Sequence, residues 1–353
     1  MRPRALTGAA AAGALALAGV LSTAPTALAA TNDPLYGKLW GLQQVKAEQA
    51  WASSTGTGTV VAVVDTGIDF SQPDLQGQIL QGATFTGCDK GQRPCGNGDF
   101  RGPDGQNNAD EHGTHVAGTI AAVRGNGVGV VGVAPSTKIL PVKVLEDGSG
   151  SGEDIGDGIR WAADHGADVI NLSLGSIPGG QAFAITGLDS AMQEAIAYAR
   201  SKGVLTVAAA GNSSTALCND PAFTSEGICV GATDRNGLHS WYSELPNKTD
   251  FKSVSAPGGA GLTSCDDDIW STVPKGTGSS ACGQADYDAY AGTSMATPHV
   301  AGVAALLYAQ GRTVDQVEEA LLGTAVTPGT GSRGTWTPAY GYGVVDAQAA
   351  VGS

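Results

Sequence analysis

Beyond residue 30, short apolar runs alternate with segments whose apolar positions recur every three to four residues. Val60–Val64, Ile139–Leu145, Val169–Leu172, Val204–Ala210 and Ile228–Ala232 have strand length and read as buried strands. Between them lie helical patterns. Glu153–His165 spaces Ile155, Ile159 and Ala162 along one face and stops at Gly166, and Ser190–Lys202 stops at Gly203. Two more helices close the chain, one over Ser294–Tyr308 and one starting at Thr313, where Thr313 and Gln316 fit a capping box. Leu39–Trp51 reads as an arm and first helix. The alternation predicts an α/β fold, a doubly wound, mostly parallel sheet with helices on both faces.

The first thirty residues follow another logic. Arg2 and Arg4 precede an Ala/Leu/Gly run from Leu6 to Leu21, and Ala27-Leu28-Ala29 supplies a small-x-small cleavage pattern. This predicts a secretory signal over residues 1–30, export, and one catalytic-size domain over 31–353. Losing Arg2 and Arg4 takes the formal charge from −14 to −16. So acidic a surface repels phosphates and argues against nucleic-acid and anionic-membrane partners. No stretch approaches the ~20 apolar residues of a membrane span. Six cysteines in an exported chain read as disulfides, with 15 connectivities open in principle. Their spacing favours three local pairs, Cys88–Cys95, Cys218–Cys229 and Cys265–Cys282, each in a Gly/Pro/Asn-rich stretch.

In an open α/β sheet the ligand site lies beyond the carboxyl ends of the strands. Asp65 follows the five apolar residues of Val60–Val64, where a turn carboxylate is the plain alternative. His112 opens His-Gly-Thr-His-Val-Ala-Gly at a helix start, with His115 one turn on, and a lone histidine there is more often structural. Ser294 stands in Gly-Thr-Ser-Met-Ala-Thr-Pro-His-Val-Ala-Gly, where a serine is usually an N-cap. Together they mean more. A serine hydroxyl needs an imidazole to become a nucleophile, and the imidazole needs a carboxylate to fix its tautomer.

In the order Asp65, His112, Ser294 these motifs resemble the subtilisin-like serine proteases, and the Asn32-Asp33-Pro34 start is most similar to the thermitase branch. The resemblance runs from Asn32 to about Ala347. It implies a secreted serine endopeptidase acting on proteins or peptides, as a monomer, through an acyl-enzyme. It implies that Asn212, in Ala-Ala-Ala-Gly-Asn, is the oxyanion asparagine. Gly148-Ser149-Gly150 and Ser173-Leu174-Gly175 would bind extended substrate on either side, and Asn219 and Asp220 would stand in the specificity-pocket wall, where an acid favours basic side chains. A calcium ion would be held by Asp33, Asp74, Val123, Asn126, Val128 and Val130, with one residue more between Val123 and Asn126 than is common. His115 and His299 would be structural, and His165 and His239 are expected at the surface.

The prodomain of about 70 residues that the resemblance implies has no counterpart between signal and enzyme, so the sequence predicts folding without a covalent prodomain, or with one supplied by another chain, and signal removal as the only N-terminal processing. Other readings fit less well. Gly127-Val-Gly129-Val-Val-Gly132 matches a dinucleotide-binding string but follows a helix and leads into a strand, and Glu111, His112 and His115 lack the spacing of a zinc protease helix. An inactive secreted binding homologue would need a broken triad. A processing protease of narrow specificity remains the alternative within enzymes.

Overall fold

A computed structural model describes residues 1, 31–89, 91–102, 110–175 and 190–353. The predicted signal therefore lies outside the described residues. The strands are β1 Val60–Asp65, β2 Ala83–Thr84, β3 Lys138–Lys143, β4 Val169–Leu172, β5 Leu205–Ala209, β6 Ile228–Thr233, β7 Ser253–Pro257, β8 Ile269–Thr272 and β9 Tyr287–Tyr290. The helices are α1 Trp40–Gln44, α2 Ala47–Ala50, α3 His112–Ala121, α4 Gly152–Asp164, α5 Ser190–Ser201, α6 Thr293–Tyr308, α7 Val314–Thr324 and α8 Ala347–Val351.

Seven strands form one parallel sheet in the order β2-β3-β1-β4-β5-β6-β7. β8 and β9 form a separate antiparallel pair. Side chains alternate across β1, so Val61 and Val63 join the core beneath α3 and α6 while Ala62 and Val64 join the core beneath α4 and α5. Both faces are covered, which is why these strands read as continuous apolar runs. β1 lies between β3 and β4, so chain connections leave it in both directions and open a crevice at its carboxyl end.

Several boundaries move. β3 ends at Lys143, two residues short of the predicted run, and β5 loses one residue at each end. Leu39–Trp51 is two short helices, because Lys46 takes a left-handed φ of 55° between them. The capping box of α7 is present as expected, with Thr313 and Gln316 bonding reciprocally. All three disulfides join the local pairs read from the sequence. His165 is exposed, but His239 is half-buried with its Nε2 enclosed, and burial lowers its basicity.

Candidate active site

Asp65 is the last residue of β1 and is fully buried at the crevice. The carbonyl of Asp65 accepts from the amides of Val144 (2.8 Å) and Leu145 (3.2 Å). Behind it, the buried Lys143 ammonium donates to the carbonyls of Thr66 and Leu145, both at 2.8 Å, and so ties the ends of β1 and β3 together. The Asp65 side chain accepts from the Thr66 amide and lies 2.8 Å from His112 Nδ1 through the same Oδ1.

His112 is the first residue of α3, and the Thr66 hydroxyl accepts from the next amide, Gly113, at 3.0 Å. Burial alone would lower the imidazole pKa, but the charge and hydrogen bond of Asp65, with the charge of Asp110, raise it above the ordinary value. The Asp65 partner on Nδ1 leaves Nε2 as the nitrogen for proton transfer.

Ser294 is the second residue of α6, a helix buried along nearly its whole length. The helix contains Pro298, which has no N–H for the Ser294 carbonyl four residues earlier. The Ser173 hydroxyl donates to that carbonyl instead, at 2.7 Å, and the Ser294 hydroxyl donates back to the Ser173 carbonyl at 3.2 Å. Buried Asn171 in β4 donates to the Ser173 hydroxyl at 2.9 Å. A proline inside a helix thus fixes the nucleophile against the segment expected to bind substrate.

Asn212 follows β5. Its Oδ1 accepts from the amide (2.9 Å) and hydroxyl (3.0 Å) of Thr293, so its Nδ2 is turned outward at the start of α6. The Ser294 amide is one of the first-turn N–H groups that a helix leaves unbonded. Asn212 Nδ2 and the Ser294 amide nitrogen lie 3.5 and 3.7 Å from the point where a Cβ on Gly292 would stand, so the two donors flank one spot at the start of α6. Gly211 makes this corner possible: its φ is 112°, and a Cβ there would lie 2.6 Å from the buried Glu244 carboxyl.

Thr66, His112, Gly148–Gly150 and Ser173–Gly175 line one cleft of about 340 Å³. Asn219 and Asp220 come up to Gly175 from the other side, with Asn219 Nδ2 and the Asp220 carbonyl about a side-chain contact away. Asp220 is buried and its Oδ1 accepts from Thr224 at 2.7 Å, so this acid is turned into the loop. His115 and His299 are buried away from the cleft, with His115 stacked on Tyr290 and His299 bonded to the Met295 carbonyl.

The predicted calcium residues also converge. Asp74 Oδ1 accepts from Asn126 Nδ2 at 2.7 Å, and its Oδ2 accepts from the Val130 amide at 2.8 Å. Asp33 accepts from the Gly125 amide, and the Val123 amide bonds the Asp74 carbonyl at 2.9 Å. Burial, with Asp33's charge adding, pushes the Asp74 carboxyl up to about 7. A buried carboxylate whose proton affinity a neighbouring carboxylate raises is a pairing that suits a hard cation, although the groups turned toward the two carboxylates here are N–H donors. As the loop stands, Asn126 turns its nitrogen to Asp74 and its Oδ1 accepts from the Val128 amide, so its amide would have to turn over to serve as a ligand. Among the described residues there is no grouping of three or more His, Cys, Asp or Glu arranged for a metal ion.

Thr66, Lys143, Thr293 and Pro298 were not singled out from the sequence. Thr293 and Pro298 lie inside the serine motif, where their positions beside and four residues beyond Ser294 carry the signal.

Residues 56–343 match the subtilase family of peptidases. The chain is 40% identical to thermitase of Thermoactinomyces vulgaris over 83% of its length and 91% of that protein. It is 39% identical to subtilisin Savinase of Lederbergia lenta, covering 88% of this chain and 97% of the other. A protease structure from Pseudoalteromonas arctica superimposes with a TM-score of 0.73 at 34% identity, covering 91% of this chain and 98% of that one.

Proposed function

The chain belongs to the subtilase family and is a serine endopeptidase, and on that premise we propose that Asp65, His112 and Ser294 form its catalytic triad. The observation that carries the assignment is the 2.8 Å contact of buried Asp65 with His112 Nδ1, beside a cleft lined by His112 and by Ser173, whose carbonyl accepts from the Ser294 hydroxyl. His112 Nε2 takes the Ser294 proton as Oγ attacks the peptide carbonyl, and the imidazolium then gives that proton to the departing amine. Asp65 holds the tautomer and offsets the imidazolium charge. In the resting site the Ser294 hydroxyl is turned to Ser173, and substrate binding brings it to His112, since such bonds tighten in the complex. Water hydrolyses the acyl-enzyme by the same relay.

Asn212 Nδ2 and the Ser294 amide stabilise the oxyanion. Replacing Asn212 by alanine removes one donor and is expected to lower kcat about 10²–10³-fold with little change in KM. Peptide hydrolysis kinetics check this, and an equal rise in KM with unchanged kcat would rule the role out. Substrates are proteins or peptides, laid as added strands between Gly148–Gly150 and Ser173–Gly175.

Export follows from the basic and apolar N-terminal pattern, and no described helix is long and apolar enough to cross a membrane. Three disulfides fit an oxidising compartment. Calcium would be held by the Asp33 and Asp74 carboxylates, the Asn126 amide oxygen and the Val123, Val128 and Val130 carbonyls. Bound there, it would supply fixed positive charge between the N-terminal arm and the 123–130 loop. In the inactive Ser294→Ala chain, which cannot digest itself, excess chelator is expected to lower Tm by several degrees. Calcium at one hundred times Kd stabilises by about 2.7 kcal/mol, and each kcal/mol moves Tm by about 1.5 °C for a domain of this size. Superimposable melts with calcium and with chelator would count against the site.

A further inference from the structure

Three asparagines in the chain stand directly before a glycine: Asn97, Asn126 and Asn236. Such a pair can react with itself. The glycine amide nitrogen attacks the asparagine Cγ, and with no β-carbon on the glycine nothing crowds the approach. The three pairs differ in what that nitrogen is doing. Gly98 is buried and its N–H donates to the Thr84 hydroxyl at 3.2 Å, while the Gly237 N–H donates to the Asp234 carbonyl at 3.0 Å. Among the described residues the Gly127 N–H has no acceptor, and Asn126 and Gly127 are both exposed.

The Asn126 carboxamide is folded over the Gly127 peptide. Its Oδ1 accepts from the Val128 amide, just beyond Gly127, at 2.9 Å, and its Nδ2 donates to Asp74 Oδ1 at 2.7 Å. The Val128 N–H is therefore already bonded to the oxygen that takes up negative charge when Cγ is attacked, and a donor placed there lowers the barrier. Asn97 makes the same kind of turn, its Oδ1 accepting from the Asp99 amide at 3.2 Å, but its nucleophile is engaged by Thr84.

We infer that Asn126-Gly127 is a self-modification site, at which the chain exchanges ammonia for water to form aspartate and isoaspartate and so loosens the 123–130 loop. In the first step the bond from Gly127 N to Asn126 Cγ forms, the Cγ–Nδ2 bond breaks, and the Gly127 amide proton leaves with Nδ2 as ammonia. A cyclic imide remains. Water then opens it at Cγ to give aspartate, or at the main-chain carbonyl to give isoaspartate, whose backbone runs through the former side chain. No atom is oxidised or reduced. The aspartate product sets a carboxylate where a donor now faces Asp74, a like-charge contact, and isoaspartate lengthens the backbone of the loop.

The inference goes beyond the protease reading and takes from it only the choice of an inactive variant. The test holds secreted Ser294→Ala protein in chelator at mildly alkaline pH for several weeks. Peptide mapping follows the mass gained as NH₂ becomes OH, and isoaspartyl methyltransferase labelling follows the second product. Conversion at Asn126 is expected to be about fivefold faster than at Asn97 or Asn236, because each of those must first break the hydrogen bond on its nucleophile. In the reduced chain unfolded in urea the three sites should convert at similar rates. Asn126→Asp, which copies one product, should melt a few degrees below its parent in chelator. Conversion at Asn126 no faster than at the other two, or an equal preference for Asn126 in the unfolded chain, would overturn the site. An unchanged Tm for Asn126→Asp would overturn its effect on the loop.

Discussion

Replacement of Ser294 by alanine is expected to reduce peptide hydrolysis by about 10⁶-fold in kcat while the protein stays folded. That is the order of loss when the nucleophile is removed and only oxyanion stabilisation and substrate positioning remain. The fold should tolerate the change because the bond that anchors this end of α6 runs from the Ser173 hydroxyl to the Ser294 carbonyl, a main-chain atom that alanine keeps. Removing the Ser294 hydroxyl forfeits only its 3.2 Å bond to the Ser173 carbonyl. The check is single-turnover and steady-state hydrolysis of one peptide, with circular dichroism and substrate binding measured on the same preparation. Activity within tenfold of wild type would remove Ser294 from the mechanism. Lost activity with lost structure would mean instead that the hydroxyl holds α6 in place.

Much of this arrangement was legible because parallel strands covered on both faces leave unbroken apolar runs, as in Val60–Val64 and Ile228–Ala232. Strands that bury polar residues were not. β7 is Ser-Val-Ser-Ala-Pro, and its serines are enclosed because Ser253 accepts from Trp336 Nε1 and Ser255 donates to the Tyr340 carbonyl. Those partners lie more than eighty residues away, so no local pattern announces them. The two-residue β2 and the β8–β9 pair are too short or too mixed to show a period. The break at Lys46 needs a left-handed backbone at a residue that gives no warning of it.

The site divides the same way. Asp65, His112 and Ser294 each sit where an element ends or begins, so chemistry and local structure coincide in one short motif. The groups that hold them in place act through distant carbonyls. Lys143 is a charged residue in an apolar run, and only the packed structure shows its ammonium joining the ends of β1 and β3. Asp220 shows the converse: it reads as an acid for the pocket wall, yet Thr224 turns it inward.

Asp65→Asn tests the remaining triad member, with an expected loss of about 10⁴-fold in kcat at neutral pH. The amide preserves the shape but can present its NH₂ to His112 Nδ1, which favours the tautomer carrying the proton on Nε2. That nitrogen then cannot accept from Ser294. The variant also carries a signature in pH. In the wild type the Asp65 carboxylate raises the His112 pKa above the ordinary value of 6.5. The base must be neutral to act, so kcat/KM should fall as pH drops through a value above 6.5. Without the Asp65 charge, burial, which lowers the imidazole pKa, is opposed only by the weaker influence of Asp110. The acid limb of the residual activity should therefore move to lower pH. Full pH profiles of kcat/KM for both proteins decide the matter. A variant with near-normal rates, or one whose acid limb stays in place or moves upward, would show that Asp65 does not support His112 as the base.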